Sequence, residues 1–158
     1  MSELLEALYR GDEARVAALL AADPELDVFE AAAFGWTNRL QELLERDAAL
    51  ANAFGDDGFQ PLGLACFFGH VDAARLLLER GADPNTLARN ERIRTAALHA
   101  AAASQAGEPV RYELCELLLS HGADPNLRQG DGFRPIDAAR QNGDERLERL
   151  LLERGAEG

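Results

Sequence analysis

The sequence predicts an all-α solenoid of about five stacked helix pairs with short β-hairpin or turn fingers, and three observations predict it. Glycine spacing acts as a ruler: Gly69 is followed twelve residues later by Gly81, and Gly143 by Gly155, while the same interval links Gly11 to Asp23, Gly35 to Asp47 and Val110 to Gly122. Each interval holds a leucine-rich run: VAALLAA, LQELLER, ARLLLER, CELLLSH and ERLLLER. The pentapeptide GADPN closes two of them, at residues 81–85 and 122–126.

Each unit opens on a short, alanine-rich helix suited to close packing: LLEALYR, VFEAAAF, PLGLACFF, AALHAAAAS and PIDAARQN. The leucine runs form the second helices, amphipathic and bordered by Glu and Arg. Helices this short are marginal alone, so their stability has to come from stacking on neighbours. Gly81 and Gly122 stand where a left-handed residue ends the second helix. Pro61 and Pro135 take the first helical position, where a missing N–H costs little. Turn-rich segments lie between units: NAFGDDGFQ, NTLARNERIR and NLRQGDGFR.

The stretches DGFQPLGLACFFGHVDAARLLLERGADPN, ALHAAA…ELCELLLSHGADPN and DGFRPIDAARQNGDERLERLLLERGA resemble ankyrin repeats of a bacterial type. The resemblance covers residues 2–156, within one domain spanning 1–158, and divides it at about 2–24 (N-cap), 25–51, 52–85, 86–126 and 127–158 (C-cap). The family's T-P-L-H tetrapeptide is complete nowhere: its first pair reads Gln60-Pro61, Ala96-Ala97 and Arg134-Pro135, and its last position Gly63, His99 and Asp137. The ties that threonine and histidine supply in the family are therefore expected to be largely absent. The two GADPN motifs are 41 residues apart, which gives the fourth unit eight extra residues, three in its finger and five in SQAGEPVR.

Composition narrows the function. The 158 residues carry a formal charge of −12, and all 16 basic residues are arginine. Such a chain is repelled by phosphate backbones and anionic lipid, so no nucleic acid and no membrane surface is expected as a partner. The start, MSELLEALYRGDE, has no basic leader, and no window approaches the ~20 apolar residues that cross a bilayer. Two cysteines in apolar helical contexts point to a reducing, cytoplasmic setting.

Chemistry-bearing residues offer little for catalysis. Cys66 and His70 are four apart on one helical face, but no third ligand, base or oxyanion hole can be assembled around them. Cys66 and Cys115 read as core, His99 as a buried hydrogen-bonding residue and His121 as a helix C-terminal cation. Asp56, Asp57, Asp83 and Asp131 fall in turns, where the carboxylate bonds its own backbone. No phosphate loop, dinucleotide fingerprint or hydrolase motif is present. The sequence therefore predicts no enzyme, no cofactor and no metal.

The resemblance implies a concave face, made of fingers and inner helices, that binds another protein. Phe34 and Phe68 occupy equivalent positions one unit apart, beside Phe67 and Trp36, and either anchor a partner or turn inward between helices. Phe59 and Phe133 recur at one unit position and read as structural. Arg89, Arg92 and Arg94 in the fourth finger and Arg128 and Arg134 in the fifth either form a basic strip for an acidic partner segment or pair with neighbouring carboxylates. The expected protein is a monomeric interaction scaffold. A self-associating structural or regulatory protein, and a thiol sensor or small enzyme using Cys66, are the alternatives.

Overall fold

The computed structural model describes residues 1–158 and holds ten α-helices in five antiparallel pairs. The first helices are α1 (Glu3–Tyr9), α3 (Val28–Phe34), α5 (Pro61–Phe67), α7 (Ala97–Ala102) and α9 (Pro135–Gln141). Their partners are α2 (Glu13–Ala21), α4 (Thr37–Arg46), α6 (Val71–Glu79), α8 (Glu108–Ser120) and α10 (Glu145–Glu153). A 3-10 turn at Ala48–Asn52 follows α4.

Local chemistry sets the helix ends. Pro61 and Pro135 begin their helices, as the sequence predicts. Asp27 caps α3 reciprocally: its carboxylate accepts the Glu30 N–H at 2.8 Å while Glu30 accepts the Asp27 N–H at 3.0 Å. Asp12 and Asp144 cap α2 and α10. Gly81 and Gly122 follow α6 and α8 with φ of +93° and +88°, a geometry that side chains resist.

Burial follows the stacking. One cluster of 32 buried residues, mostly Ala and Leu, runs through all five pairs from Leu4 to Ala156. α2 contributes no buried residue, and its exposed positions are Ala14, Ala17, Ala18 and Ala21 beside Glu13 and Arg15. α10 buries Leu147, Leu150 and Leu151 and turns its Glu and Arg outward. The α10 end of the array is thereby given a polar outer layer.

The ties between units differ from expectation. The fingers contain no strand; each is a turn closed by a few backbone bonds, such as Gly55 N–H to the Phe59 carbonyl at 2.8 Å and Gln129 N–H to the Phe133 carbonyl at 2.9 Å. The lost threonine and histidine bonds are replaced. Gln60 donates to the Asn52 carbonyl at 3.1 Å, Asp137 accepts the Arg134 N–H at 2.9 Å, and His99 bonds the Phe133 carbonyl at 3.0 Å. A further tie repeats three times at the other edge. Asn52 donates to the Gly81 carbonyl and accepts the Asp83 N–H; Asn85 does the same with Gly122 and Asp124, and Asn126 with Gly155 and Glu157, all at 2.7–3.0 Å.

The fourth unit absorbs its inter-helix insertion mostly as helix. α8 starts 14 residues before Gly122, whereas α6 starts 10 before Gly81, and the loop at 103–107 has five residues against three at 68–70. That loop folds back on the third unit: the Ser104 hydroxyl donates to the Phe67 carbonyl at 3.0 Å.

Candidate functional site

The first helices and the fingers enclose an elongated groove of about 740 Å3, with walls drawn from α1, α5, α7 and α9 and from the fingers between them. At its N-terminal end four aromatic rings meet. Tyr9 stacks on Phe68 with centroids 6.1 Å apart and planes 6° from parallel, and meets Phe59 edge-on at 6.5 Å. Phe67 meets Phe68 edge-on at 5.1 Å. The Tyr9 hydroxyl donates to Asp57 at 2.9 Å, and burial together with that carboxylate holds the phenol well above its ordinary range. Tyr9 therefore stays neutral and fixed, a wall rather than an acid or base.

Most polar groups of the groove are satisfied within the chain; Arg10 and Gln105 are the polar wall side chains left unbonded. Thr86 and Thr95 bond to Asp83 and the Ala96 carbonyl, and Gln60 and His99 bond to backbone. Of the 24 wall residues only Arg10 and Asp83 are charged, so the −12 charge lies elsewhere. At mid-helix Gly63 the groove floor is notched: a Cβ placed there meets nothing within 4 Å, and the corresponding positions carry Phe29, His99 and Asp137. No packing of the fold requires glycine at that point.

The residues singled out from sequence divide into three groups. Phe67 and Phe68 line the groove, and Phe34 sits behind Phe68, both packed on the buried trio Leu5, Ala33 and Leu64. Trp36 is 41% exposed at the start of α4 and stands off the groove. The arginines form no continuous strip. Arg89 lies over the Phe54 ring at 3.9 Å, Arg128 donates to the Gly132 carbonyl, and Arg134 is held by Asp137 and the Glu157 carbonyl. Arg92 and Arg94 are exposed and carry no side-chain hydrogen bond or ion pair; they flank Ile93, which lines the groove and is itself 52% exposed. Wall residues that the sequence did not assign to the site include Tyr9, Arg10 and Ile93, and also Phe59 and Phe133, which it reads as structural. Only the stacking distance gives Tyr9 weight; Ile93 sits in an insertion with no counterpart in other units.

Cys66 is fully buried and burial pushes its thiol up to about 12, while Cys115 is raised well above the ordinary value, again chiefly by burial. His70 does not face Cys66 chemistry; its Nε2 bonds the Ala33 carbonyl of the preceding pair at 2.9 Å. No three His, Cys, Asp or Glu side chains converge as a metal site, and no helix is long and apolar enough to cross a membrane.

A family model described as ankyrin repeats, in three copies, matches residues 4–88, more than half the chain, and a single ankyrin repeat matches 95–129. The chain belongs to the ankyrin-repeat family. Ankyrin repeats are in general protein–protein interaction modules without enzymatic activity. Among relatives, the human DNA-binding protein RFXANK is 41% identical over 80 residues, 51% of this chain and 30% of that protein. Mouse ankyrin repeat and SOCS box protein 16 is 46% identical over 72 residues, 46% of this chain and 14% of its own length. Human neurogenic locus notch homolog protein 4 is 33% identical over 138 residues, 86% of this chain and 6% of its own. The chain thus spans less than a third of each of these relatives. The fifth ankyrin pair, α9 and α10, lies outside both matched ranges and is recognised by its geometry.

Proposed function

We propose that this ankyrin array is a non-catalytic module that holds a segment of another protein in the groove between its first helices and fingers. The observation that carries the reading is the aromatic wall of Tyr9, Phe67 and Phe68, part-exposed beside a groove most of whose polar groups are already bonded. Rigid aromatic rings on a concave apolar surface are what interface hot spots draw on. Buried, protonated thiols give the enzyme and sensor alternatives no nucleophile. The acidic charge favours neither nucleic acid nor anionic lipid, and the protein works as a cytoplasmic monomer in this reading.

Cross-linking capture from the source cell tests it. Phe67→Ala/Phe68→Ala removes two rings and should weaken recovery of the captured protein about thirtyfold or more, with an unchanged helical spectrum. Undiminished recovery would move the interface off the groove. Sedimentation that finds a dimer, dissolved by Phe68→Asp, would replace the reading with self-association.

A further inference from the structure

Resting on that groove reading, we propose that the occupant is a linear segment with bulky apolar anchors flanked by carboxylates. Apolar anchors follow from the walls: mostly apolar, with most of their polar groups bonded internally, and notched at Gly63 where a side chain would otherwise stand. A polar chain laid there would strip its own groups of water without new partners. The groove extends from α1 to α9 instead of closing into a compact cavity, which suits a length of polypeptide better than a small molecule.

Charge at the edges identifies the flanks. Of the 16 arginines, five have neither ion pair, side-chain hydrogen bond nor aromatic partner, and three of these (Arg10, Arg92 and Arg94) stand on or beside the groove. In a chain with 28 acidic residues carboxylates are plentiful; Glu6, one helical turn before Arg10, makes no ion pair with it, and most of those in the fingers are engaged. Asp57 takes the Tyr9 hydroxyl and the Phe59 N–H, Asp83 the Asn85 N–H and Thr86 hydroxyl, and Asp131 the Phe133 N–H and Gln129. Asp56 meets the amino terminus, and Glu91 alone on the fourth finger is unengaged. Arg10 marks one end of the groove, and Arg92 and Arg94 mark the finger beside Ile93, so free cations bracket an apolar centre. The overall −12 charge does not cancel this pattern, because salt screens charges beyond ~8 Å at physiological ionic strength and leaves the adjacent arginines dominant.

Selection of a displayed random-peptide library on the purified protein tests the assignment. Enriched peptides should carry large apolar residues between Asp or Glu. Arg10→Glu/Arg92→Glu/Arg94→Glu should bind those peptides about tenfold more weakly, and selection on that variant should shift the flanks to Lys and Arg. Enrichment without acidic flanks, or unmoved by the charge reversal, overturns the assignment; if the same peptides are still lost on Phe67→Ala/Phe68→Ala, the groove reading stands. Peptides retained by that double variant overturn the groove reading itself. A library that yields no enrichment over the bare support overturns the linear-segment occupant.

Discussion

The two edges of the stack are joined in different ways. Along the second-helix edge one device recurs: Asn52, Asn85 and Asn126 each clamp the next unit's glycine carbonyl and a following backbone N–H, with nearly equal distances. Along the finger edge the third and fifth fingers close on the same internal bonds, but no contact between units repeats. Arg89 N–H reaches the Gly58 carbonyl, Gly130 N–H reaches the Arg94 carbonyl, Asn90 reaches the Asp57 carbonyl, and Tyr9 crosses to Phe68. A uniform edge keeps the units in register; an individual edge gives each position its own surface. The proposed function assigns recognition to the finger edge, and the substitutions below separate the two.

The largest effect is expected at Gly58. Its φ is +83°, and a Cβ there would stand 2.4 Å from the Arg89 carbonyl carbon. The neighbouring finger is backbone at that point and cannot swing aside. Gly58→Ala should destabilise by about 3 kcal/mol, from left-handed strain plus lost finger stacking. Chemical unfolding measures it, and a loss below about 1 kcal/mol would mean that the fingers are not held at this spacing. Asn85→Ala attacks the uniform edge instead. It deletes two bonds, to Gly122 and Asp124, at an exposed site, for about 1–2 kcal/mol. Peptide binding should survive in proportion to the folded fraction. An unchanged unfolding midpoint would show that water replaces the amide without penalty.

These edges were unequally legible in the sequence. Helix pairs, prolines, terminal glycines and the insertions follow from local rules, and the equivalence of Phe34 and Phe68 follows from counting. The asparagine of GADPN was visible as a repeat, but its role was not, because its partners lie 29–39 residues away. The finger edge was least legible. The sequence left a basic strip and pairing with carboxylates open for the finger arginines; Arg89, Arg128 and Arg134 find an aromatic face, a carbonyl and a carboxylate through tertiary contacts that sequence does not show. Substitution also hid the family's ties: Gln60 and Asp137 make bonds that a search for threonine and histidine passes over.

A gentler probe of the finger edge is pH. His99 donates from Nε2 to the Phe133 carbonyl, a bond that survives protonation, while its Nδ1 accepts the Ala96 N–H at 3.4 Å, a bond that needs the neutral ring. Burial lowers its pKa below the ordinary 6.5, against the opposite pull of the Phe133 and Leu127 carbonyls and of Asp131 and Asp137. Burial lowers His70 likewise, opposed by the Ala33 carbonyl. Above about pH 6.5 both folded and unfolded rings are neutral and this contribution is complete. As pH falls through 6.5 the unfolded chain takes up protons that the folded chain refuses, so stability declines. Melting temperature should drop between pH 7 and 5, and less steeply in His99→Ala. Parallel slopes for the two proteins would remove His99 from the account.

The smallest expected change has the opposite sign. Gly63 lies within α5, its φ is not positive, and space around a Cβ is open, so Gly63→Ala should stabilise the fold by about 0.5–1 kcal/mol through helix propensity alone. The same methyl enters the groove floor. If the notch receives an anchor, the more stable variant should bind selected peptides several-fold more weakly, a divergence that a purely structural position cannot produce. Stability and affinity rising together would mean that Gly63 is a tolerated weakness in the helix, and the groove would lose its deepest point as a feature of recognition.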